Sequence, residues 1–409
     1  MLTALKEGVR GGKWFSLSDK VSSVRALEAA FRKVKANGGA PGIDHMTIAS
    51  FEQNLAEELP RLSKALMDGS YRPSGIKRVW IPKPGSKEKR PLGIPTVRDR
   101  VVQGAIRMAL EPIFEKEFLD ASYGFRPGRS CHQALRQVWN GLKAGRAHVV
   151  DADLRKCFDT IPHELIMQGL KEKVADGRLL GVIALFLKQG VMQSGGEEVW
   201  ETASEEGTPQ GSVISPLLAN IALHGFDLLA QARGFDLVRY ADDFVVLCKD
   251  RAEAESALEA VREWTLKVGL QLHPEKTRIV DYLSGESFEF LGHEFRAGFT
   301  YPKQKSKQRL RDKIRAESPR TSGRSLEATI ARLNPILKGW YRYFRHCHPW
   351  TFSTADGFVR RRLRAILCKR HRFPLHGCGF AHYRWPTAYF QKRGLFSMEQ
   401  THAERSALS

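Results

Sequence analysis

The 409-residue sequence predicts an α+β fold, with a mixed body of helices and short strands followed by a helical C-terminal segment. Three observations carry this. Apolar runs of strand length, bounded by turn residues, occur at 148–153, 235–250, 276–281 and 288–296. Apolar residues at helical spacing fill the intervals, as in Val24, Leu27, Phe31 and Val34. Beyond a break near Gly298–Lys303 the pattern becomes helical and basic, which sets the expected domain boundary. Hydrophobic residues make up 42% of the chain, enough to build cores and to exclude a wholly disordered polypeptide.

In chain order, a helix over 18–36 ends at the Gly/Pro-rich NGGAPGID (37–44), and a second runs from about Thr47 to Asp68. The alternating apolar and basic residues of 77–95, around a Pro-Gly turn, predict a basic hairpin. Arg98 to Phe118 reads as helix. HVVDAD opens as a buried strand and passes into a loop at Leu154 to Asp159. Helices follow at His163 to Val174 and Leu179 to Gln189. GTPQG is a turn before an apolar helix, FDLVRYADDFVVLCKD a strand pair bent at Ala241–Asp242, and Arg251 to Val268 an amphipathic helix. In the basic segment Leu326, Ile330, Leu333, Leu337, Trp340 and Phe344 share a face, and Pro335 is expected to split or kink that helix. The tail after Arg372, rich in Gly, Pro, His and aromatics, is expected to hold little regular structure.

The charge is unevenly placed. The chain has 65 Lys+Arg and 45 Asp+Glu, a formal net charge of +20. Residues 301–409 hold 24 basic against 6 acidic residues, a net of +18, whereas 1–300 hold 41 against 39. A nearly neutral body with a basic C-terminal quarter points to a polyanion partner held through its phosphates. Interleaved aromatics (Trp340, Tyr341, Tyr343, Phe344, Trp350) offer flat surfaces for unpaired bases. No apolar run approaches the roughly 18 residues of a membrane span, and the start MLTALKEGVRGGKW lacks a secretory h-region. Six Cys without a close CxxC pair suit a reducing compartment, and the Cys/His residues of 346–378 lack zinc-site spacing. The expectation is a cytoplasmic protein, nucleoid-associated when on DNA.

The informative carboxylates lie at 238–247, VRYADDFVVL. Two adjacent acids between apolar strand runs are costly to bury unless a cation repays them. Arg239 alone is one candidate for that cation. Asp153 is a second acid of this kind, on the same strand face as Asp151 after Val149–Val150. If the two strands are neighbours, Asp153 and Asp242 converge, and three hard oxygen ligands with open positions suit Mg²⁺ and phosphoryl chemistry.

The blocks KRVWIPKPGSKEKRPLGIPTVRDRVVQ (77–103), SYGFRPGRSCHQAL (122–135), DADLRKCFDTIPHELI (151–166), GTPQGSVISPLLANIAL (207–223), RYADDFVVL (239–247), GLQLHPEKTRIV (269–280), FEFLGHEF (288–295) and LNPILKGWYRYF (333–344) stand in the order found in group II intron reverse transcriptase/maturases, which the chain resembles over most of residues 20–345. The resemblance implies a right-hand polymerase with fingers, a palm bearing a ferredoxin-like sheet, and a helical thumb or maturase domain. It divides the chain into an N-terminal template-clamping segment (1–75), fingers and palm (76–300), thumb/maturase (301–372) and a short basic tail (373–409) as a DNA-binding remnant. His45 stands where the family usually has Gly, which puts the geometry of the clamping loop in question.

By the same resemblance Asp153, Asp242 and Asp243 are the catalytic acids. They bind two Mg²⁺ ions, replaceable by Mn²⁺, with the Leu154 carbonyl as a further oxygen ligand. Phe158 would sit under the sugar of the incoming nucleotide and reject a 2′-hydroxyl. Lys83 and Arg90 would hold the triphosphate, Gln210 and Gly211 would approach the template–primer, and Lys276 would approach the leaving pyrophosphate. RNA contacts are expected from Arg332, Lys338, Arg342, Arg345, Arg360, Arg361, Arg362 and Arg364. The implied partners are intron RNA, an RNA template with a DNA or RNA primer, dNTPs and target DNA, with no membrane. The chain ends before the paired-Cys endonuclease domain of many relatives, so DNA insertion is expected to start from a pre-existing 3′ end. Rival readings are a domesticated relative with the same chemistry and no intron, in DNA repair or phage defence, a splicing cofactor with an inactive polymerase, and an RNA-dependent RNA polymerase, the last disfavoured by Phe158.

Overall fold

The basic hairpin forms strands β1 (Ile76–Pro82) and β2 (Lys89–Ile94), paired antiparallel from Lys77↔Ile94 to Pro82↔Lys89. This is a computed structural model, and it describes residues 12–82, 89–193, 199–201, 206–209, 211–321, 323–372 and 378–407. Strand β3 (His148–Asp153) follows, then β4 (Val191–Gln193) and β5 (Val199–Glu201). β4 lies parallel to β1, giving the sheet order β2-β1-β4-β5.

A second sheet, order β6-β7-β3-β8, is built from β3, β6 (Asp236–Tyr240), β7 (Asp243–Cys248) and β8 (Arg278–Asp281). Val149, Val150, Val245, Val246 and Leu247 are buried, as continuous apolar runs in a covered sheet require. The helices Val97–Phe114, His163–Lys173, Gly177–Leu187, Ser215–Ala232 and Arg251–Lys267 supply much of the remaining core of this unit.

The chain divides into two compact units between Ile279 and Val280, within β8 and earlier than the Gly298–Lys303 break. The second unit includes a three-stranded antiparallel sheet of β9 (Phe288–Phe290), β10 (His293–Arg296) and β11 (Phe299–Pro302), in the order β11-β10-β9. Phe288 and Phe295 stack there at 4.7 Å between centroids. That sheet belongs with the helical segment because its aromatic side chains pack there. His293 of β10 meets the rings of Tyr343 and Phe344, and the Tyr343 hydroxyl donates to the Leu291 carbonyl.

Three local expectations change. The helix over 47–68 is two helices, Ile48–Gln53 and Leu55–Asp68, separated at Asn54. The helix Leu326–Phe344 runs unbroken through Pro335. Pro335 and Ala331, whose carbonyl loses its helical partner, both lie on the exposed side, where water replaces the bond. The tail is helical at Cys378–Arg384, Thr387–Gln391 and Met398–Ala407. Its order comes from distant partners. Trp385, Phe390 and Met398 are buried in the second core. The Asp356 carboxylate, on the helix Trp350–Arg370, accepts from Ser397 Oγ at 2.8 Å and from the Met398 and Glu399 amides at 3.3 and 3.1 Å. Local periodicity carries no trace of such contacts. Among the described residues no helix is long and apolar enough to cross a membrane.

Candidate active site

β6 and β7 pair from Asp236↔Leu247 to Tyr240↔Asp243, so Ala241 and Asp242 form a two-residue turn. Ala241 has φ +61°, a left-handed value that a two-residue hairpin turn demands and an L-residue resists. β3 pairs with β7 in the register Asp153↔Asp243. Asp153, Asp242 and Asp243 are therefore brought to one end of the same sheet. The buried thiol of Cys157 senses this: burial first, and then the carboxylates of Asp242, Asp153 and Asp159, push its pKa upward.

What holds the turn is Arg239, and it does so differently from the sequence expectation. Its side chain is wholly buried and reaches back behind the turn to Asp227. Nε donates to Asp227 Oδ1 at 2.6 Å and Nη2 to Asp227 Oδ2 at 2.5 Å. Nη1 donates to Asn220 Oδ1 at 3.1 Å and to the Ala241 carbonyl at 2.9 Å, and Nη2 also reaches Ser122 Oγ at 2.9 Å. Burial raises the Asp227 carboxyl, but the Arg239 guanidinium beside it prevails and holds it below the ordinary carboxylate range. One guanidinium thus ties the helix Ser215–Ala232, the loop at Ser122 and the strained turn together.

The SYGFRPG block packs behind the same turn. The Tyr123 amide donates to the Arg239 carbonyl at 2.8 Å, and Asn220 Nδ2 donates to the Gly124 carbonyl at 2.7 Å. A Cβ on Gly124 would lie 2.3 Å from the Ala241 nitrogen, so only glycine fits. Phe125, missed in the sequence reading, sits edge-on to Phe158 at 6.3 Å and tilted against Tyr240 at 6.4 Å. Its signal was available: an aromatic set between Gly124 and Arg126 in the SYGFRPG block. Arg126 pairs with Glu115 at 2.8 Å and donates to the carbonyls of Leu119 and Ser122.

Phe158 is half-buried on the short helix Cys157–Thr160, and its carbonyl accepts from the Thr208 amide at 2.6 Å. Beyond Asp153 the chain runs beside 271–273, with the His273 amide on the Asp153 carbonyl at 2.7 Å and the Arg155 amide on the Gln271 carbonyl at 2.8 Å. Leu154 faces Leu272 in that bridge. Lys276, in the turn that follows, places its ammonium on Asp153 Oδ2, while Arg278 Nε lies 3.6 Å from Asp151 Oδ2. Gly211 has φ +112°, and a Cβ there would lie 2.2 Å from the Gly93 carbonyl of β2. The next residues are held by Gln103, whose Oε1 accepts from Ser212 Oγ at 2.8 Å and the Val213 amide at 2.9 Å. Lys83 and Gln210 lie outside the described residues. So does the Arg90 side chain, although its backbone pairs with Ile81.

Among the described residues no group of three His, Cys, Asp or Glu side chains is gathered closely enough to hold a metal ion. The donor chemistry nevertheless suits a hard divalent cation. Three carboxylates lie at one sheet end, and a cation, the Lys276 ammonium, already rests on Asp153.

In the second unit Lys338, Arg342 and Arg361 are exposed, and Arg345, Arg360 and Arg362 are half-buried. Arg332 is exposed but paired with Glu317 at 2.6 Å, and Arg362 donates to the Ser318 carbonyl. Arg364 departs from the expected surface role. It is buried, donates to the Trp385 carbonyl at 2.9 Å and covers the Phe390 ring, so it supports the fold of the tail.

The family described as reverse transcriptase (RNA-dependent DNA polymerase) matches residues 81–295, and the group II intron, maturase-specific domain matches 307–376. The chain is 37% identical to "Protein YkfC" of Escherichia coli (strain K12), over 69% of this chain and 85% of that protein. It is 39% identical to "Group II intron-encoded protein LtrA" of Lactococcus lactis subsp. cremoris, over 48% of this chain and 32% of that protein, so the match spans about a third of LtrA's length. Among solved structures, telomerase from Candida albicans superimposes with a TM-score of 0.44 at 12% identity, covering 82% of this chain and 64% of that one.

Proposed function

The chain belongs to the group II intron reverse transcriptase/maturase family and is an RNA-directed DNA polymerase; on that premise we propose that it extends a primer on an RNA template at the Asp153–Asp242 sheet end and binds group II intron RNA through its basic C-terminal unit. The observation that carries the reading is the register Asp153↔Asp243 beside the Ala241–Asp242 turn, because it puts hard oxygen donors from two distant segments at one edge.

In this reading Asp153, Asp242 and Asp243, with the Leu154 carbonyl, would hold two magnesium ions. Ions held there would supply positive charge that lowers the pKa of the primer 3′-hydroxyl and offsets the phosphates. The 3′-oxygen forms a bond to the α-phosphorus while the bond to the bridging oxygen of the β-phosphate breaks, and pyrophosphate leaves. Lys83 and Arg90 hold the β and γ phosphates. Phe158, backed edge-on by Phe125, fills the space a 2′-hydroxyl would need. Gly211 lets its backbone lie against β2, next to the template–primer. Lys276, whose ammonium reaches Asp153 in this structure, would give a proton or its charge to the departing pyrophosphate. Splicing of intron RNA and its insertion into target DNA follow from the same reading.

The test is Asp242→Ala. Incorporation of dTTP on poly(rA)/oligo(dT) should fall to background while RNA binding persists. Retained extension would remove Asp242 from the metal site.

A further inference from the structure

The second unit contains a cavity that the polymerase reading does not use. It has a volume of about 180 Å³ and lies among β11 and the helices Gln304–Glu317, Leu326–Phe344 and Trp350–Arg370. A space of about 150 Å³ already admits a benzene ring. Its walls are aromatic, formed by Tyr301, Trp340, Trp350 and Phe358 over a floor of Leu310 and Ile314. Trp350 is 66% exposed, an unusual position for so large an apolar ring.

Two further features define what would fit. The Lys307 ammonium lies 6.0 Å from the Tyr301 ring centre, and the Arg311 guanidinium 5.9 Å from that of Phe358. Among the described residues neither cation is paired with a carboxylate, unlike Arg315 on the same helix, which pairs with Asp312 at 2.7 Å. Trp340 lines the cavity while its indole Nε1 is shielded from solvent, so it offers a ring surface and no donor. The two cations favour an occupant that carries acceptors. An uncharged apolar ligand would leave both cations unmet, and an acidic peptide would leave the flat ring faces unused.

We propose that this cavity is a base pocket, taking one unpaired nucleobase of an RNA strand between its rings while Lys307 and Arg311 meet the adjoining phosphate. The pocket rests on the reading that this unit binds RNA, and it assigns that binding a place and a single-stranded specificity.

The experiment uses the full chain and an oligo(rU) single strand carrying one 4-thiouridine. Irradiation is expected to crosslink the probe to peptides bearing Trp340, Trp350 or Phe358. Trp350→Ala should weaken binding on the order of tenfold while leaving the salt slope unchanged, because a stacking contact and not a phosphate contact is lost. Trp350→Phe should restore most of the affinity. Ala355→Trp, which fills the cavity and keeps every ring, should reproduce the loss. Lys307→Gln should instead flatten the salt slope by about 0.7. Crosslinks confined to other residues, or wild-type affinity in both Trp350→Ala and Ala355→Trp, would overturn the pocket and leave RNA binding elsewhere intact. A wild-type chain that binds no oligo(rU) would overturn the RNA reading itself.

Discussion

Replacing Arg239 with Met should release the hairpin that presents Asp242. The substitution keeps an unbranched apolar side chain in a fully buried position but removes the guanidinium. Asp227 then remains as a buried carboxylate without its bidentate partner, and the Ala241 carbonyl, Asn220 Oδ1 and Ser122 Oγ each lose a donor. Stripping one partner from a buried ion pair costs about 3–5 kcal/mol. At 1.36 kcal/mol per decade, that is roughly a hundred- to several-thousand-fold in a local opening equilibrium. Amide hydrogen exchange over 236–248 should accelerate by that factor, and primer extension should fall because the strained Ala241 conformation loses its brace. Adding Asp227→Leu should recover part of the protection, since no charge is then left buried. Exchange accelerated less than tenfold by Arg239→Met, or a double variant no better protected than the single one, would refute the bracing argument.

Phe158→Val should admit ribonucleotides, read as the ratio of rNTP to dNTP incorporation on one primer; an unchanged ratio would count against the steric gate. Gly211→Ala should abolish extension and expose the β1–β2 hairpin to protease, because the methyl would meet the Gly93 carbonyl in a left-handed backbone. Asp176 accepts from the Leu17 and Ser18 amides at 2.7 Å and from the Leu179 amide at 3.0 Å. Burial alone would raise its carboxyl, but the Ser18 hydroxyl and these amides hold it at about 2 against an ordinary 3.8. Its contribution, about 2.5 kcal/mol at most, is present above pH 3.8 and lost as pH falls towards 2. Exchange at residues 14–22 should rise over that window, and Asp176→Ala should remove the pH dependence.

Local pattern in the chain was enough to place the elements and to flag their chemistry. Alternation and turn residues located β1–β2, β3 and β6–β7, and the adjacent acids of RYADD were legible as too costly for a plain strand. Local rules suffice there because backbone pairing and side-chain period act over a few residues. They failed where order is bought by distant contacts. The tail helices depend on Asp356 and on a core shared with the helix Trp350–Arg370. Arg364 looked like a surface cation and is buried against Trp385. Arg239, three positions before Asp242, looked like its possible counter-ion. Only the tertiary structure could assign it to Asp227, because the destination of a long charged side chain is set by which buried carboxylate the fold brings within reach. The same holds for Phe125 behind Phe158 and for the cations at the aromatic cavity: composition names such groups, and packing alone decides what they face.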